Sequence, residues 1–322
     1  MFNLTIDKKI MSQITNNILM IKPVSFRYND QTAVNNYYQK KLMNYTFSQL
    51  QNKALLEFNN FVKKLENCGV NVIVIEDTMQ HETPDSIFPN NWVSFHKNGQ
   101  VGLYPMYADN RRMERREDIF GYLVEEHDFH IKEIKDYTDF EKHNKYLEGT
   151  GSLVLDREHK ICYAATSIRT DKDVVKKFCK DFGYRSVFFT ANQDVNGERR
   201  PIYHTNVMMC IADNFAVICL ESIDDKEERK YVIESLISSG KEIIEITEDQ
   251  KNKFAGNMLQ VMGDQPYLVM SSSAFISLTK KQKIIIENFC SIIHSPLNII
   301  ETCGGGSARC MIAEVFLPKS KI

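Results

Sequence analysis

The sequence predicts an α/β fold in which one unit, a β-hairpin followed by a helix and a strand, recurs as a five-fold pseudo-symmetric barrel. Three observations support this fold class. Segments with helical spacing of apolar residues alternate with short apolar strands along the 322 residues. The helix starts lie about 55 to 65 residues apart. A candidate hairpin with a turn signal lies between consecutive units.

The first unit shows the pattern most clearly. Thr46 to Cys68 carries apolar side chains at helical spacing, among them Leu50 and Phe58. The helix should end at Gly69, because glycine adopts the left-handed conformation that commonly terminates helices. The apolar segment NVIVIE that follows should form a strand.

The other four units repeat this order of elements. Their predicted helices and strands are Arg111 to Val124 with HIKEIKDY, Thr170 to Phe182 with SVFFT, Asp225 to Ile237 with EIIEI, and Thr279 to Cys290 with LNIIE. The intervening hairpins are NWVSFHKNGQVGLYPM, GSLVLDREHKICYAAT, NVMMCIADNFAVICLE and NMLQVMGDQPYLVMSS.

The two ends of the chain complete the repeat. The C-terminal segment SARCMIAEVFL has no following partner strand, and the N-terminal run ILMIKPVSF could pair with it. Such closure predicts a single domain over residues 1–322 and removes exposed sheet edges. The polar segment Ala191 to Pro201 is the nearest candidate for a linker. Its place before His204 favours an active-site loop instead.

Composition excludes several classes of protein. Hydrophobic residues make up 43% and charged residues 25%, with a formal net charge of −2, so no basic field for binding nucleic acid is expected. No apolar run is long enough for a membrane span, and the N-terminus lacks the pattern of a signal peptide. We therefore predict a cytoplasmic protein that binds neither nucleic acid nor membrane.

The eight cysteines are scattered through apolar stretches without a CxxC motif. This spacing disfavours disulfides and structural zinc, and most of these thiols should be buried and inert. Cys310 is the exception, because three glycines precede it closely and would let a ligand approach the backbone. Cys303 is the competing nucleophile, and its place at a predicted strand end favours a structural role.

Polar residues recur at the start of the first strand of each hairpin, where five-fold symmetry would bring them together. They are Asn90 and Asn91, Glu148, His204, Asn257 and Cys310. A single histidine or carboxylate is more often structural than catalytic. A cysteine, a histidine and an acid converging on one axis are typical of nucleophilic catalysis.

At these positions the sequence resembles the guanidine-modifying (pentein) superfamily, which includes arginine deiminase, dimethylargininase and the amidinotransferases. It is most similar to bacterial arginine-deiminase-related proteins of the citrulline-utilisation hydrolase type. The resemblance rests on KPVSFRYNDQTAVNNYYQ, DSIFPNNWVSFH, MYADNRRMERRE, EGTGSLVLDR with SIRT, YHTNVMMCI, AGNMLQV and GGGSARCMIAE. It implies a five-bladed pseudo-symmetric α/β propeller, the pentein fold.

The resemblance also implies the catalytic roles. Cys310 would be the nucleophile, His204 the general acid and base, and Glu148 the carboxylate that holds the guanidinium N–H groups. Asn257 is expected beside them as a substrate contact. No metal or organic cofactor is implied.

Substrate recognition follows from the same resemblance. Arg169, in SIRT, matches an arginine that holds a substrate carboxylate, and Arg112 or Arg111 matches a second one. Where deiminases have aspartates that grip the guanidinium, this chain has Asn91 and Asn206. An amide brings no charge, so weaker recognition of free arginine is expected.

We therefore predict a cysteine-dependent hydrolase of a guanidino substrate that carries a carboxylate. The product would be a ureido compound with ammonia or an alkylamine, released through a thiouronium intermediate. Three alternatives stay open: an amidinotransferase that uses the same residues, a non-catalytic small-molecule binding protein, and a structural interaction protein. The exact substrate is not determined, and neither is assembly into a homo-oligomer.

Overall fold

The computed structural model describes residues 13–320. Within this range the chain forms seventeen strands. They are β1 (Asn17–Lys22), β2 (Asn71–Glu76), β3 (Val93–Phe95), β4 (Gln100–Leu103), β5 (Glu133–Asp136), β6 (Val154–Asp156), β7 (Ile161–Ala165), β8 (Arg185–Phe189), β9 (Asn192–Val195), β10 (Glu198–Pro201), β11 (Met209–Ile211), β12 (Phe215–Ile218), β13 (Glu242–Glu245), β14 (Leu259–Met262), β15 (Pro266–Ser271), β16 (Ser291–Ser295) and β17 (Ala313–Glu314).

Eleven α-helices lie in the same part of the chain. They are α1 (Asp30–Ala33), α2 (Phe47–Asn67), α3 (Asp109–Arg112), α4 (Asp118–Glu125), α5 (Gly149–Ser152), α6 (Lys172–Phe182), α7 (Lys226–Ser238), α8 (Glu248–Lys251), α9 (Ser272–Ser277), α10 (Lys280–Glu287) and α11 (Asn298–Gly304). Short 3₁₀ helices span Pro89–Asn91, Thr138–His143, Thr205–Val207 and Leu220–Ser222.

Residues 13–320 contain five three-stranded sheets with the same topology. The sheets are β17-β1-β2, β3-β4-β5, β6-β7-β8, β11-β12-β13 and β14-β15-β16. In each sheet the middle strand is antiparallel to the first strand and parallel to the third. Because a parallel strand requires a crossover connection, helices lie between the second and third strands, as the repeat predicted.

The predicted single barrel is wrong at the level of strand pairing. In residues 13–320, each three-stranded sheet is separate from the next. The first strands β3, β6 and β11 have three residues each, and each pairs only with its own hairpin partner. No ladder joins the first strand of one sheet to the next sheet in residues 13–320, so the strand pairing does not continue around a closed ring.

The first sheet joins the two ends of the described chain. Strand β1 pairs with β2 over six residues and with β17 through Ile18 to Glu314 and Leu19 to Ala313. The pairing of an N-terminal strand with the C-terminal unit thus occurs in the structure. The predicted domain limits, residues 1 and 322, lie outside the described residues, and the single-domain organisation stays a prediction.

Two of the predicted elements differ from the structure. Arg111 to Val124 is not one helix, because α3 and α4 are separated by a turn. In that turn the Arg115 guanidinium pairs with Glu141 and donates to the carbonyl of Tyr104. These tertiary contacts override the helical pattern of the segment.

The predicted strand LNIIE is helix α11, and the strand of this unit is Ser291–Ser295. The carboxylate of Glu57 accepts the backbone N–H groups of Ile299 and Ile300 at 3.0 to 3.1 Å. It satisfies the free donors at the start of the helix, a role that no local sequence pattern reveals. A short apolar run alone does not distinguish a strand from a buried helix.

The segment Ala191 to Pro201, predicted as an active-site loop, folds into the antiparallel ribbon β9-β10. Its turn uses Asn196 and Gly197 with positive φ. Such residues favour two-residue hairpin turns.

Apolar side chains fill the space between sheets and helices. One cluster packs Val187 of β8 with Val217 of β12, and another packs Ile18 of β1 with Phe61 of α2 and Ile312 near the C-terminus. The second cluster therefore anchors the turn that carries Cys310 to the first sheet. No helix within residues 13–320 is both long and apolar enough to cross a membrane.

Candidate active site

Each predicted catalytic residue lies in a turn shortly before the first strand of a sheet. Glu148 precedes α5 and β6, His204 precedes the 3₁₀ turn before β11, and Cys310 lies in the turn before β17. Asn91 ends the turn before β3, and Asn257 precedes β14. Because the sheets share one topology, these turns lie at equivalent places in the fold.

Five of the residues predicted or considered from the sequence meet in one small cavity. Its wall consists of Asn36, Asp85, Phe88, Asn91, Arg111, Arg169, Tyr203, His204, Gly304, Gly306 and Cys310. The cavity volume is 10 Å³, which is room for about one water molecule. Glu148 lies directly behind this wall, where it contacts His204.

Two amides surround the sulfur of Cys310. Asn257 Nδ2 lies 3.2 Å and Asn206 Nδ2 lies 3.6 Å from Sγ. The backbone N–H of Arg309 donates to Oδ1 of Asn257 at 3.0 Å, which turns the amide nitrogen toward the sulfur. Both amides can therefore stabilise a thiolate by donating hydrogen bonds.

His204 forms a buried pair with Glu148. Its Nε2 lies 2.7 Å from Oε2 of Glu148. Burial lowers the pKa of His204 to about 4, although the hydrogen bond and the charge of Glu148 act in the opposite direction. The imidazole is therefore neutral at pH 7, and it can donate one N–H to the carboxylate while its other nitrogen accepts a proton.

Glu148 is fully buried, and burial alone would raise its pKa. The guanidinium of Arg169, the hydrogen bond from His204 and the charge of Arg111 outweigh burial and hold the pKa below the usual range. Arg169 Nη1 lies 3.3 Å from Oε2, and the backbone N–H of Tyr107 donates to Oε1 at 3.0 Å. Glu148 is therefore ionised throughout the physiological pH range.

A close approach of two turns explains the glycine at position 151. A Cβ atom there would lie 2.4 Å from Nδ2 of Asn91 and 2.9 Å from Nδ1 of His204. Any larger residue would displace the side chains of the site. Gly151 of the Glu-Gly-x-Gly segment is therefore required for the side chains to pack around the cavity.

Arg169 lines the cavity, but other residues already bind its guanidinium. Besides Glu148, it donates from Nε to Oδ1 of Asn35 at 2.8 Å and from Nη2 to the carbonyl of Thr32 at 2.9 Å. It also lies over the ring of Tyr203 at 5.0 Å. The binding of a substrate carboxylate by Arg169 stays a prediction. It requires the Arg169 guanidinium to break some of these contacts.

The structure places Arg112 outside the cavity, contrary to the prediction that it contacts substrate. Its guanidinium pairs with Asp109 at 2.7 Å and donates to the carbonyl of Met106. Arg111 lies in the wall instead and donates from Nη1 to Oδ1 of Asn91 at 2.8 Å. Neighbouring residues of a helix point about 100° apart, so only one of the pair can face the site.

Asp85 is a site residue that our sequence analysis did not single out. Its Oδ2 accepts from Asn29 at 2.8 Å and from Thr32 at 3.1 Å, whereas Oδ1 is buried without a partner among residues 13–320. Burial raises the pKa of Asp85, and the nearby charge of Arg111 opposes this. Asp85 is the first residue of the motif DSIFPNN, which ends at Asn91. This short separation from a predicted site residue was the signal that could have identified Asp85.

The repeated sheets define a class of protein by its fold, the α/β proteins of the pentein type. Solved structures share the fold over nearly the whole chain. The apo structure of ArgZ, an arginine dihydrolase from the ornithine-ammonia cycle in cyanobacteria, matches with a TM-score of 0.71 and 19% identity over 94% of this chain. AgrE in complex with ornithine and NAD⁺ matches with a TM-score of 0.71 and 17% identity over 95%.

Residues 22–317 match the family model of N,N dimethylarginine dimethylhydrolase, eukaryotic, so the chain belongs to that family. The superfamily predicted from the sequence is confirmed. An adduct of dimethylarginine dimethylaminohydrolase with S-methyl-L-thiocitrulline matches with a TM-score of 0.61 and 14% identity, over 94% of this chain and 100% of that one. A sequence comparison with curated proteins finds no match.

The chain spans 41% of the ArgZ chain and 40% of the AgrE chain. It spans 99% of the N-terminal domain of ArgZ, whose structure with a covalently bound reaction intermediate matches with a TM-score of 0.69. At these levels of identity the structural matches show the fold alone.

Proposed function

We propose that this protein hydrolyses a guanidino compound with Cys310 as the nucleophile, His204 as the general acid and base, and Glu148 as the partner of His204. One observation carries the proposal: Cys310 and His204 line the same small cavity, and Glu148 contacts His204 from behind its wall. The family match supports hydrolysis over the amidinotransferase alternative.

The neutral state of His204 determines the order of proton transfers. A neutral imidazole cannot stabilise a thiolate by charge, so the cationic substrate and the amides of Asn206 and Asn257 do so. His204 accepts the proton of Cys310, and the thiolate adds to the guanidino carbon. Glu148 stabilises the imidazolium that forms.

His204 then gives this proton to the departing amine, and the C–N bond breaks to leave a thiouronium on Cys310. The neutral imidazole next removes a proton from water, and the resulting hydroxide adds to the same carbon. Collapse expels the Cys310 thiolate, which regains a proton from His204, and the hydroxyl proton of the new carbonyl group passes to solvent. The products are a ureido compound and ammonia or an alkylamine.

Asp85 changes the expected mode of guanidinium binding. Its unpaired Oδ1 can accept N–H groups of the substrate, so the site contains a carboxylate although Asn91 and Asn206 replace two aspartates of the deiminases. Asn206 faces the sulfur of Cys310, and Asn91 accepts from Arg111. We therefore assign guanidinium recognition to Asp85, whereas Glu148 acts through His204.

We further propose that the five three-stranded sheets are the blades of a five-bladed propeller within a single catalytic domain, residues 1–322. The shared topology of the sheets and the pairing of β1 with β17 support this arrangement. The eight cysteines are free thiols, which supports the predicted cytoplasmic location. Assembly into a homo-oligomer stays a prediction.

Labelling with chloroacetamidine followed by peptide mass spectrometry tests the proposal. We expect Cys310 to react much faster than the other seven cysteines, and His204→Ala to slow this reaction. A panel of arginine, agmatine, methylated arginines and citrulline, with detection of ureido product and ammonia, tests turnover. Equal labelling of Cys310 and the other seven cysteines, with no product from any guanidino compound, would favour the non-catalytic alternative.

A further inference from the structure

The two residues proposed as nucleophile and base come from separate sheets of the fold. His204 precedes β11, whereas Cys310 lies in the turn that leads from α11 to β17. We call residues 304–310 the nucleophile turn. No hydrogen bond joins His204 to Cys310 within residues 13–320, although both line the same cavity. Other contacts between the two segments must therefore fix the separation of the base from the nucleophile.

The side chain of Tyr203 makes such a contact. Its hydroxyl donates a buried hydrogen bond of 2.6 Å to the carbonyl of Gly305. The amide of Asn36 reaches the same oxygen only at 3.4 Å. Because Tyr203 directly precedes His204 in the chain, this one short hydrogen bond ties the segment of the base to the nucleophile turn.

The nucleophile turn passes the position of Gly305 on to the sulfur. Gly305 has a φ of +64°, a conformation that favours glycine. The backbone N–H of Cys310 donates to the carbonyl of Ser307 at 3.0 Å. A Cβ atom on Gly306 would lie 3.2 Å from the Cβ of Cys310, so these two residues are packed closely. A displacement of Gly305 would therefore also displace Cys310.

The surroundings of Tyr203 hold its ring in place. The residue is 3% exposed, and its ring centroid lies 5.0 Å from the guanidinium carbon of Arg169 and 4.6 Å from the centroid of the His204 ring. Its backbone carbonyl accepts from Oγ of Ser167 at 2.8 Å. Burial raises the pKa of Tyr203 well above its ordinary value, so the hydroxyl stays protonated and acts as a donor.

We propose that Tyr203 is a positioning residue, whose hydroxyl holds the nucleophile turn so that Cys310 stays within reach of His204. This inference rests on the proposed function. Tyr203 acts through Gly305 and exchanges no proton with the substrate, although it lines the cavity. Loss of the hydroxyl should therefore lower kcat and leave KM nearly unchanged.

A pair of matched tyrosine variants tests the inference. Tyr203→Phe keeps the ring beside Arg169 and His204 and removes only the hydroxyl. We expect kcat to fall about tenfold, because small misplacement of catalytic groups is costly. Tyr163→Phe is the control: this fully buried hydroxyl is hydrogen-bonded to Oγ of Ser235 at 3.0 Å, away from the cavity wall. It should keep its kcat, measured at a temperature at which circular dichroism shows both variants folded.

Two further measurements do not depend on turnover. Backbone amides of the nucleophile turn should exchange with deuterium faster in Tyr203→Phe than in Tyr163→Phe, as followed by peptide mass spectrometry. Chloroacetamidine should label Cys310 more slowly in Tyr203→Phe than in the control. A residue that only supports overall stability would change neither rate while the protein stays folded.

The outcomes separate the inference from the proposed function. Turnover with equal kcat in both variants would overturn the inference and leave the proposed function in place. Faster exchange and slower labelling in Tyr203→Phe, without turnover by the unmodified protein, would support the positioning of Cys310 and remove the proposed function. A lower kcat with unchanged exchange of the nucleophile turn, or with loss of the alkaline limb of the pH profile, would overturn the positioning role, since Tyr203 would then act on the substrate directly.

Discussion

At the scale of single residues, the environment of each side chain determines its chemical state. Cys310 is a nucleophile candidate because Asn206 and Asn257 direct their amide nitrogens at its sulfur, and because it lines the same cavity as His204. His204 is neutral because it is buried, and Glu148 is ionised because cations surround it.

The pKa of His204 predicts how stability depends on pH. Since its folded pKa is about 4 and its ordinary value is 6.5, the unfolded chain binds more protons between these values. The contribution of His204 is therefore complete above pH 6.5 and is lost as pH falls toward 4. Urea unfolding at pH 7 and pH 5 should show a smaller pH effect for His204→Gln than for the unmodified protein. An equal pH effect in both proteins would contradict the burial of a neutral imidazole.

The carboxylate of Asp85 should contribute to guanidinium binding. Asp85→Asn removes the charge with little change in volume, so kcat/KM for a guanidino substrate should fall by about 10- to 100-fold, the equivalent of ~1–3 kcal/mol for a charged hydrogen bond. Steady-state kinetics measure this change. Asp109→Asn, at an exposed aspartate that pairs with Arg112, is the control and should have wild-type kinetics. Equal kcat/KM for the Asp85→Asn and Asp109→Asn variants would contradict a role of Asp85 in substrate binding.

At the scale of elements, short turns bring the side chains of different sheets together. The turn at α5 can approach Asn91 and His204 closely only because Gly151 has no side chain. Helix α11, which our sequence analysis assigned as a strand, leads directly into the glycines that precede Cys310. The geometry of the site thus depends on elements with no catalytic group of their own.

Gly151→Ala should therefore reduce activity strongly. The added methyl group would overlap Nδ2 of Asn91 at 2.4 Å and crowd His204. We expect a loss of kcat of at least tenfold, because small misplacement of catalytic groups is costly. Gly121→Ala in α4 is the control: no atom lies within 4 Å of its added Cβ, so activity should be unchanged. Comparable activity of the two variants would show that the close approach is not required.

The cap of α11 can be tested separately from catalysis. Glu57→Ala leaves the backbone N–H groups of Ile299 and Ile300 without their carboxylate acceptor. The free energy of unfolding should fall by about 1 kcal/mol, as for the loss of other helix caps. Chemical denaturation measures this difference. Glu66→Ala, an exposed position near the end of α2, should change stability by less than about 0.5 kcal/mol.

At the scale of the whole molecule, the five sheets form one framework for the site. Strand β1 lies between β2 and β17, so it connects the beginning of the chain to the turn of Cys310. Ile18 of this strand is fully buried in the cluster that also contains Ile312. A substitution that disrupts the packing of the first sheet should therefore lower the stability of the protein and also displace Cys310.

Ile18→Ala tests this connection. Loss of a fully buried isoleucine should lower the free energy of unfolding by about 2–5 kcal/mol. Labelling of Cys310 by chloroacetamidine should slow in parallel. Ile276→Ala, at a side chain that is 75% exposed, should alter neither. A destabilised variant that labels Cys310 at the normal rate would show that the first sheet does not position the nucleophile.

The sequence by itself determined the repeating unit, the superfamily, and Cys310, His204 and Glu148 as the candidate catalytic residues. The repeating unit and the candidate residues were accessible because apolar periodicity, turn residues and polar residues at equivalent positions are local patterns. The superfamily was accessible through the resemblance of its motifs. The pairing of β1 with β17 was also accessible, because an unpaired apolar segment lay at each end of the chain.

Only the tertiary structure decided which arginine faces the cavity, that Asp85 has a free buried oxygen, and that LNIIE is helical. It also decided that Arg169 is bound by Glu148, Asn35 and Thr32. Each of these features depends on atoms from segments distant in sequence. The Glu57 carboxylate, for example, caps α11 across 242 residues of chain, and no local pattern encodes such a contact.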